Sequence, residues 1–158
     1  MVTKPSQNTE QTFDATDARL VTELQADARL TNAELGRRVS LSPPAVADRL
    51  RRLERDGVIT GYRAELDPKA LGYALSAIMR VRPAPRQLPK VADLARESSE
   101  VVECHRITGE DCFFLKLHLR DIEHLEEVVD RFLIYGQTTT SIIQSSPVRG
   151  RGPSVGAG

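Results

Sequence analysis

The chain has 158 residues, which allows one medium domain or two small ones. Its 22 basic and 22 acidic residues cancel, so no overall charge attracts it to nucleic acid or membranes, and any DNA-binding surface must be local. No apolar run approaches the ~18 residues of a membrane span. The polar N-terminus lacks the apolar core of a secretory signal. A cytoplasmic protein is therefore expected.

Two helices are predicted after the polar residues 1–12, which are expected to be disordered. The first helix starts after Asp14 and ends near Ala28. The stretch Thr31-Asn-Ala-Glu34 is a capping box, in which the Thr hydroxyl and the Glu carboxylate each accept a backbone amide. It predicts a second helix over Asn32–Val39.

A third helix is predicted from Pro43, with Ser42 as its cap. Proline suits the first helical position because its missing amide would have been unpaired anyway. Gly57 ends the helix in a left-handed cap. Apolar residues recur at i, i+4 and i+7 and form one buried stripe: Val46, Leu50 and Leu53. Because a three-residue turn separates the second and third helices, the pattern is typical of a helix-turn-helix.

The segments after the third helix indicate a domain boundary. Residues 58–66 change to β-type residues and could form a wing. Residues 67–72 are predicted to be a linker, so the first domain would span 13–66 and the second 73–146. The Gly-, Pro- and Ser-rich tail 147–158 is expected to be disordered.

The second domain alternates between strand and helix patterns. The order βαββαβ predicts a ferredoxin-like α+β fold. Its predicted elements are strands over Tyr73–Arg82, Val101–Thr108, Cys112–Leu119 and Thr138–Gln144, and helices over Gln87–Glu97 and Asp121–Ile134.

The region around the third helix is the one basic segment that the sequence offers as a DNA-binding surface. Six arginines against two acids give residues 37–55 a local charge of +4. Recognition helices present their N-terminal residues to base edges and later basic residues to phosphates. The alternative is a solvated amphipathic helix with ion pairs such as Asp48–Arg52, but the capped helix and tight turn before it favour DNA. The predicted DNA contacts are Ser42, Pro43, Ala45 and Asp48 nearest the bases, with Arg49 and Arg52 on bases or backbone.

The two cysteines are expected to be free. Cys104 and Cys112 flank a predicted turn near Gly109, and a hairpin register symmetric about Glu110 separates them by four residues. That is roughly 13 Å at about 3.3 Å per residue, beyond disulfide reach. The same register places His105 and His118 on opposite faces of the sheet. No Cys/His spacing is typical of a zinc site, and no nucleophile–base pair occurs locally, so no metal, cofactor or catalytic activity is expected.

Three stretches of the chain are distinctive: residues 14–72 (DATDARL to DPKALG), residues 100–132 (EVVECHRITGEDCFF to VVDRF) and the closing YGQTTTSIIQ. Together they resemble the Lrp/AsnC, or feast/famine, family of prokaryotic regulators. The resemblance implies a winged helix-turn-helix joined to a ferredoxin-like effector domain. It also implies a homodimer that meets a pseudo-palindromic DNA site, further assembly into octamers, and an amino-acid effector bound between dimers.

The effector site is expected around the sequence TGEDC, Thr108–Cys112. On the residues alone, Gly109 and Asp111 make a good hairpin turn. The resemblance adds that family members commonly carry Asp at the position of Cys112, near the effector's amino group. A thiol cannot supply that carboxylate, so amino-acid recognition would be altered or absent, with Asp111 as a displaced substitute. Two threonines correspond to pocket residues of the family, or are simply β-formers: Thr138 and Thr140.

Two other functions stay open beside the regulator. Some relatives with this architecture are sirohaem decarboxylases, so the resemblance also allows an enzyme. The third possibility is a ligand-binding assembly module whose helix-turn-helix makes only protein contacts.

Overall fold

A computed structural model describes residues 13–156. They form two compact units: one runs up to Ala64 and includes the segment from Val148 onward, and the other spans Glu65–Pro147. The predicted disorder of residues 1–12 lies outside the described residues. The tail up to residue 156 has no helix or strand, and the Gln25 side chain donates a hydrogen bond to the Pro153 carbonyl at 3.1 Å.

Three short helices make the first unit: α1 (Ala15–Ala26), α2 (Asn32–Val39) and α3 (Pro43–Arg55). Each begins at a predicted capping residue, because Asp14, Thr31 and Ser42 all accept amides of the first turn. Helices this short gain most of their stability from packing. Their shared core consists of four buried side chains: Leu20, Leu35, Val39 and Val46.

The turn between α2 and α3 depends on one close backbone approach. The Leu41 amide donates to the Gly36 carbonyl at 2.9 Å, and Ser40 takes a left-handed conformation with φ of 60°. A Cβ atom on Gly36 would lie 2.4 Å from the Leu41 carbonyl oxygen. Only glycine therefore lets α2 pack this tightly against the turn.

The segment after α3 lies where a wing was predicted, but residues 58–66 contain no strand. Gly57 has φ of 73°, and the Val58 amide donates back to Leu53 at 2.9 Å. The segment then runs on without a second strand beside it, so no ladder of backbone hydrogen bonds forms. The Tyr62 hydroxyl, which donates to Glu54 at 2.9 Å, ties it to α3.

The second unit has the predicted βαββαβ order, which confirms the ferredoxin-like α+β fold. Within this unit a short 3₁₀ turn, Lys69–Leu71, precedes the first strand. The elements of this unit are β1 (Leu75–Pro83), α4 (Leu88–Glu97), β2 (Val101–Arg106), β3 (Phe113–Leu119), α5 (Ile122–Leu133) and β4 (Gly136–Ile142). The four strands form an antiparallel sheet in the order β2-β3-β1-β4.

One face of this sheet is buried under both helices. Side chains alternate between the two faces of a strand, and β3 shows this as a strict buried–intermediate alternation. On β1 the buried set is Ala77, Met79 and Val81, which pack with Val91 of α4 and Phe132 of α5. We call the opposite side of the sheet, which carries Arg80 and Arg82, the open face.

The register of the β2–β3 hairpin differs by one residue from the prediction. Cys104 pairs with Leu115 and His105 with Phe114, so the hairpin is symmetric about the Gly109–Glu110 peptide and not about Glu110. When the pairing register of two strands shifts by one residue, a side chain lines up with the opposite face of the sheet. His105 and His118 therefore share the open face, and the prediction of opposite faces was wrong. Both cysteines are free.

The close approach at Gly36 yields a stability prediction. Gly36→Ala forces its methyl group into the Leu41 carbonyl, and overpacking of this kind costs about 1–3 kcal/mol. We expect a lower urea midpoint for the loss of far-UV circular dichroism. Gly150→Ala is the matched control, since its Cβ meets no atom within 4 Å; equal midpoints for the two variants would contradict the prediction.

Candidate DNA-binding surface and effector site

Helix α3 presents two different charged sides. Val46 and Leu53 are buried, and Val46 packs in the shared core of the three helices. On the side farthest from them, the Asp48 side chain is 73% exposed and those of Arg51 and Arg55 are each 72% exposed. Asp48 and Arg51 form an i, i+3 ion pair of 2.7 Å, so Asp48 pairs with Arg51 and not with Arg52 as the solvated-helix alternative supposed.

The other charged side of α3 points at α1. Arg49 Nη1 lies 2.8 Å from one carboxylate oxygen of Asp17, and Arg52 Nη2 lies 2.5 Å from the other. The Asp17 side chain is completely buried, whereas those of Arg49 and Arg52 are 27% and 30% exposed. Arg49 also contacts Asp14 at 2.7 Å. We call these four residues the arginine clamp.

The clamp also fixes the start of α1. Asp17 accepts the Asp14 amide at 3.1 Å, while Asp14 accepts the Asp17 amide at 2.8 Å, so the two acids form a reciprocal capping box. The hydrogen bond from Arg49, followed by those from the backbone, lowers the pKa of Asp14. A lowered folded-state pKa means that this stabilisation is complete at neutral pH and is lost as the pH falls through that value.

The arginines of α3 therefore differ in their availability to DNA. Exposed ion pairs such as Arg51–Asp48 contribute about 0–1 kcal/mol, so a phosphate can replace the acid at little cost. Withdrawing a partner from a buried charge costs about 3–5 kcal/mol. Arg49 and Arg52 hold the buried Asp17 carboxylate, so these contacts give them a structural role, and their predicted contact with DNA stays a prediction.

The remaining predicted DNA contacts lie at or near the exposed N-terminal end of α3. Ser42 and Pro43 are exposed and Ala45 is partly exposed. Sequence reasoning missed Arg51 and Arg55 as candidates because it assigned the outward stripe to Ala45, Asp48, Arg49 and Arg52. At 100° per residue, Arg55 lies directly opposite Val46, a signal that was already present in the sequence.

Of the predicted effector residues at the β2–β3 turn, Asp111 lies on the open-face side, beside Arg80 and Arg82. Gly109 has φ of 112°, as a tight turn requires. Asp111 is approached by Arg80 Nη1 at 3.5 Å and by Arg82 Nε at 3.8 Å, and Arg82 also pairs with Glu110. We call Arg80, Arg82, Glu110 and Asp111 the tip cluster.

Cys112 lies at the edge of the core beside the tip cluster. Its amide donates to the Val81 carbonyl at 3.0 Å, and its carbonyl accepts from Ile107 at 2.9 Å. The side chain packs against the buried cluster. Cys112 thus connects the turn to β1 through its backbone, and no carboxylate stands at this position.

The two predicted threonines lie on the other side of the sheet. Thr138 pairs with Val81 and Thr140 with Met79, and both of these partners face the helices. Thr140 Oγ1 is buried without a hydrogen-bond partner. The structure therefore does not unite the five predicted effector residues in one pocket: the threonines share the helix-covered face, and the tip cluster lies against the open face.

Over residues 13–156, no group of three or more His, Cys, Asp or Glu side chains is arranged to hold a metal ion. Within the same range, no helix is long and apolar enough to cross a membrane.

The arginine clamp yields a second prediction. Asp17→Ala leaves two guanidinium groups beside an empty buried site, and we expect a loss of about 3 kcal/mol in the free energy of unfolding, measured by urea titration. Asp48→Ala is the matched control, because it removes an exposed acid that also pairs with an arginine of α3. Comparable losses in both variants would show that burial does not set the strength of the clamp.

Comparisons with known proteins agree with this architecture. A family model described as a winged helix-turn-helix DNA-binding domain matches residues 13–60, and one described as the Lrp/AsnC ligand binding domain matches residues 76–153. The chain is 34% identical over 133 residues to the transcriptional regulator LrpC of Bacillus subtilis, covering 84% of this chain and 92% of that protein. It is 36% identical over 137 residues to the regulator LrpA of Mycobacterium tuberculosis, covering 86% and 89%.

Solved structures show the same relationship. The structure of B. subtilis LrpC superposes with a TM-score of 0.82 at 33% identity, covering 87% of this chain and 98% of that one. A feast or famine regulatory protein from M. tuberculosis, complexed with L-methionine, superposes with a TM-score of 0.84 at 34% identity, covering 89% and 98%. With both domains matched in the predicted order, the chain belongs to the Lrp/AsnC family of transcriptional regulators.

Proposed function

We propose that this protein is a sequence-specific DNA-binding regulator whose activity is modulated by a small molecule bound in the C-terminal unit. The observation that carries the proposal is the outer side of α3: two highly exposed arginines, in weak ion pairs, on the second helix of a helix-turn-helix. A recognition helix of this kind enters the major groove. We place this regulator in the cytoplasm, where it can reach the DNA.

The contacts with DNA follow from exposure. Ser42, Pro43, Ala45 and Asp48 are assigned to base edges near the start of α3, and Arg51 and Arg55 to phosphates or bases. Arg49 and Arg52 support the helix from behind through Asp17. Since the whole chain has no net charge, the electrostatic attraction has to come from local basic residues, and the Arg51 and Arg55 pair, repeated in a second copy, contributes to it.

The assembly follows from the binding mode. A single α3 reads only a few base pairs, so affinity for one operator requires two copies related by a two-fold axis. We assign a homodimer on a pseudo-palindromic site as the functional unit, with an octamer as the higher assembly expected of this family. We place the effector in the C-terminal unit, because this unit matches the Lrp/AsnC ligand binding domain and a relative from M. tuberculosis is complexed with L-methionine.

The regulator is favoured over the two other functions. The relatives compared above are named as transcriptional regulators, and none of those names supports a sirohaem decarboxylase. An assembly module without DNA contacts would need no exposed arginines on the outer side of α3. Absorbance spectra of the purified protein test the decarboxylase alternative by detecting bound haem. DNA affinity measured at two salt concentrations distinguishes the regulator from an assembly module that does not bind DNA.

The exposed arginines yield a third prediction. Arg51→Ala and Arg55→Ala should each weaken operator binding and reduce the slope of log affinity against log salt by about 1 per lost phosphate contact. Gel shifts at several salt concentrations measure both effects, and the urea midpoint should stay unchanged. Arg96→Ala is the control, since this residue is 73% exposed and paired with an acid on α4.

Two results would contradict this assignment. One is unchanged operator affinity in both the Arg51 and the Arg55 variant. The other is a folded Arg49→Ala protein with wild-type stability that loses operator binding, because this would return Arg49 to the DNA surface as first predicted.

A further inference from the structure

The C-terminal segment of the chain packs on the helix-turn-helix unit. From Val148 onward the chain belongs to the first unit, and we call the described part of this segment, residues 148–156, the tail. The Gln25 side chain of α1 donates to the Pro153 carbonyl at 3.1 Å, and a Cβ atom on Gly152 would lie 2.5 Å from Gln25 Nε2. The tail therefore has a defined place against α1, although it contains neither helix nor strand.

The tail carries two arginines and no acid. Arg149 and Arg151 are exposed, and within residues 13–156 neither of them is paired with a carboxylate. The arginines of α3 differ in this respect, because each of them already pairs with an acid. A phosphate can therefore bind a tail arginine without the loss of an existing ion pair, whereas it has to displace an acid from Arg51 or Arg55.

The tail lies at the end of α1 from which the chain enters α2. Gln25 is the last residue but one of α1, and the exposed segment 27–31 joins this end to α2. Because consecutive residues span at most about 3.6 Å, Arg151 lies within roughly 7 Å of Pro153 and Arg149 within roughly 14 Å. The first helix of a helix-turn-helix, here α2, crosses the DNA backbone while the second enters the groove. The tail arginines thus lie near the start of the helix that passes the phosphates.

The side chains of the tail suit phosphates and not base edges. A guanidinium donates two parallel hydrogen bonds to a phosphate, and the pair is strengthened by its charges. Bases are read chiefly by arginine, amide and carboxylate side chains inside a groove. The tail has no amide or carboxylate side chain, and α3 is the element assigned to the groove. Contacts from outside the groove reach the backbone, which carries no sequence information.

We propose that the tail is a second DNA-contacting element, in which Arg149 and Arg151 bind phosphates of the strand that α2 crosses. Gln25 positions these arginines by holding the tail backbone against α1. The inference rests on the proposed function, because it adds a backbone contact to the same DNA-binding unit. It predicts a contribution to affinity that is independent of sequence and sensitive to salt.

Substitution of both arginines tests the charge of the tail. The double variant Arg149→Gln, Arg151→Gln should bind a random-sequence duplex about tenfold or more weakly, and the slope of log affinity against log salt should fall by about 1 per lost phosphate contact. The double variant with lysine at both positions keeps the charge and should keep most of the slope. Fluorescence anisotropy with the labelled duplex measures both quantities on the full-length protein.

The matched control removes two exposed cations from the second unit. Lys69 and Arg120 are exposed and, within residues 13–156, unpaired, so the double variant Lys69→Gln, Arg120→Gln should bind as the wild type does. Wild-type affinity and slope in the glutamine variant of the tail would overturn the inference. An equal loss in the control would do the same, because the effect would then come from net charge and not from the position of the tail.

Protection from trypsin tests the place of the tail directly. Trypsin cleaves after arginine, and exposed irregular backbone near a chain end is readily cut. Saturating DNA should slow the release of the peptides that begin at Gly150 and Gly152, and cleavage after Arg86, in an exposed turn of the second unit, is the internal reference. Mass spectrometry follows each peptide over time. Release of the tail peptides at the same rate with and without DNA would overturn the inference.

A second duplex, selected from a random pool by the wild-type protein, separates this inference from the proposed regulator. The tail variant should weaken binding to the selected and the random duplex by the same factor. Preference for a selected sequence, with no effect of the tail variant on either duplex, would refute the role of the tail while the regulator stands. Failure of the wild-type protein to select any sequence, with the tail effect present on random DNA, would refute the sequence-specific regulator and support the tail contact.

Discussion

The buried carboxylate of Asp17 is the constraint on which the N-terminal unit depends. It caps α1 through the Asp14 amide and accepts guanidinium groups from Arg49 and Arg52, so one acid joins the start of α1 to the middle of α3. A carboxylate without contact with water must be paired, because its desolvation would otherwise cost several kcal/mol. The pairing therefore fixes the rotation of α3 about its own axis.

In the proposed regulator, that rotation decides which residues meet DNA. With Arg49 and Arg52 turned toward α1, the opposite side of the helix carries Asp48, Arg51 and Arg55. The exposed pairs are weak and exchangeable, whereas the buried pairs are not. The same residue type thus has a structural role on one side of α3 and, in the proposed regulator, a DNA-binding role on the other.

In the C-terminal unit, the alternation of side chains across the sheet separates the predicted effector residues. Thr138 and Thr140 face the helices, and the tip cluster lies against the open face. The M. tuberculosis relative that superposes on this chain is complexed with L-methionine, an amino acid. In this chain Cys112 stands at the β2–β3 turn, and the two arginines of β1 are paired there with two acids.

Sequence alone determined most of the secondary structure and the domain order, because both follow from local signals; residues 58–66, where a wing was predicted, contain no strand. The capping residues Asp14, Thr31 and Ser42 and the apolar periodicity predicted three helices and the βαββαβ order, and the structure contains them. The site was predicted only in outline. Sequence placed it on α3 and at the β2–β3 turn, since an amphipathic helix and a glycine turn are readable without the fold. Tertiary structure decided the burial of Asp17, the hairpin register, and the side on which each arginine lies. Those depend on contacts between residues far apart in the chain, such as Asp17 with Arg52, which no local pattern records.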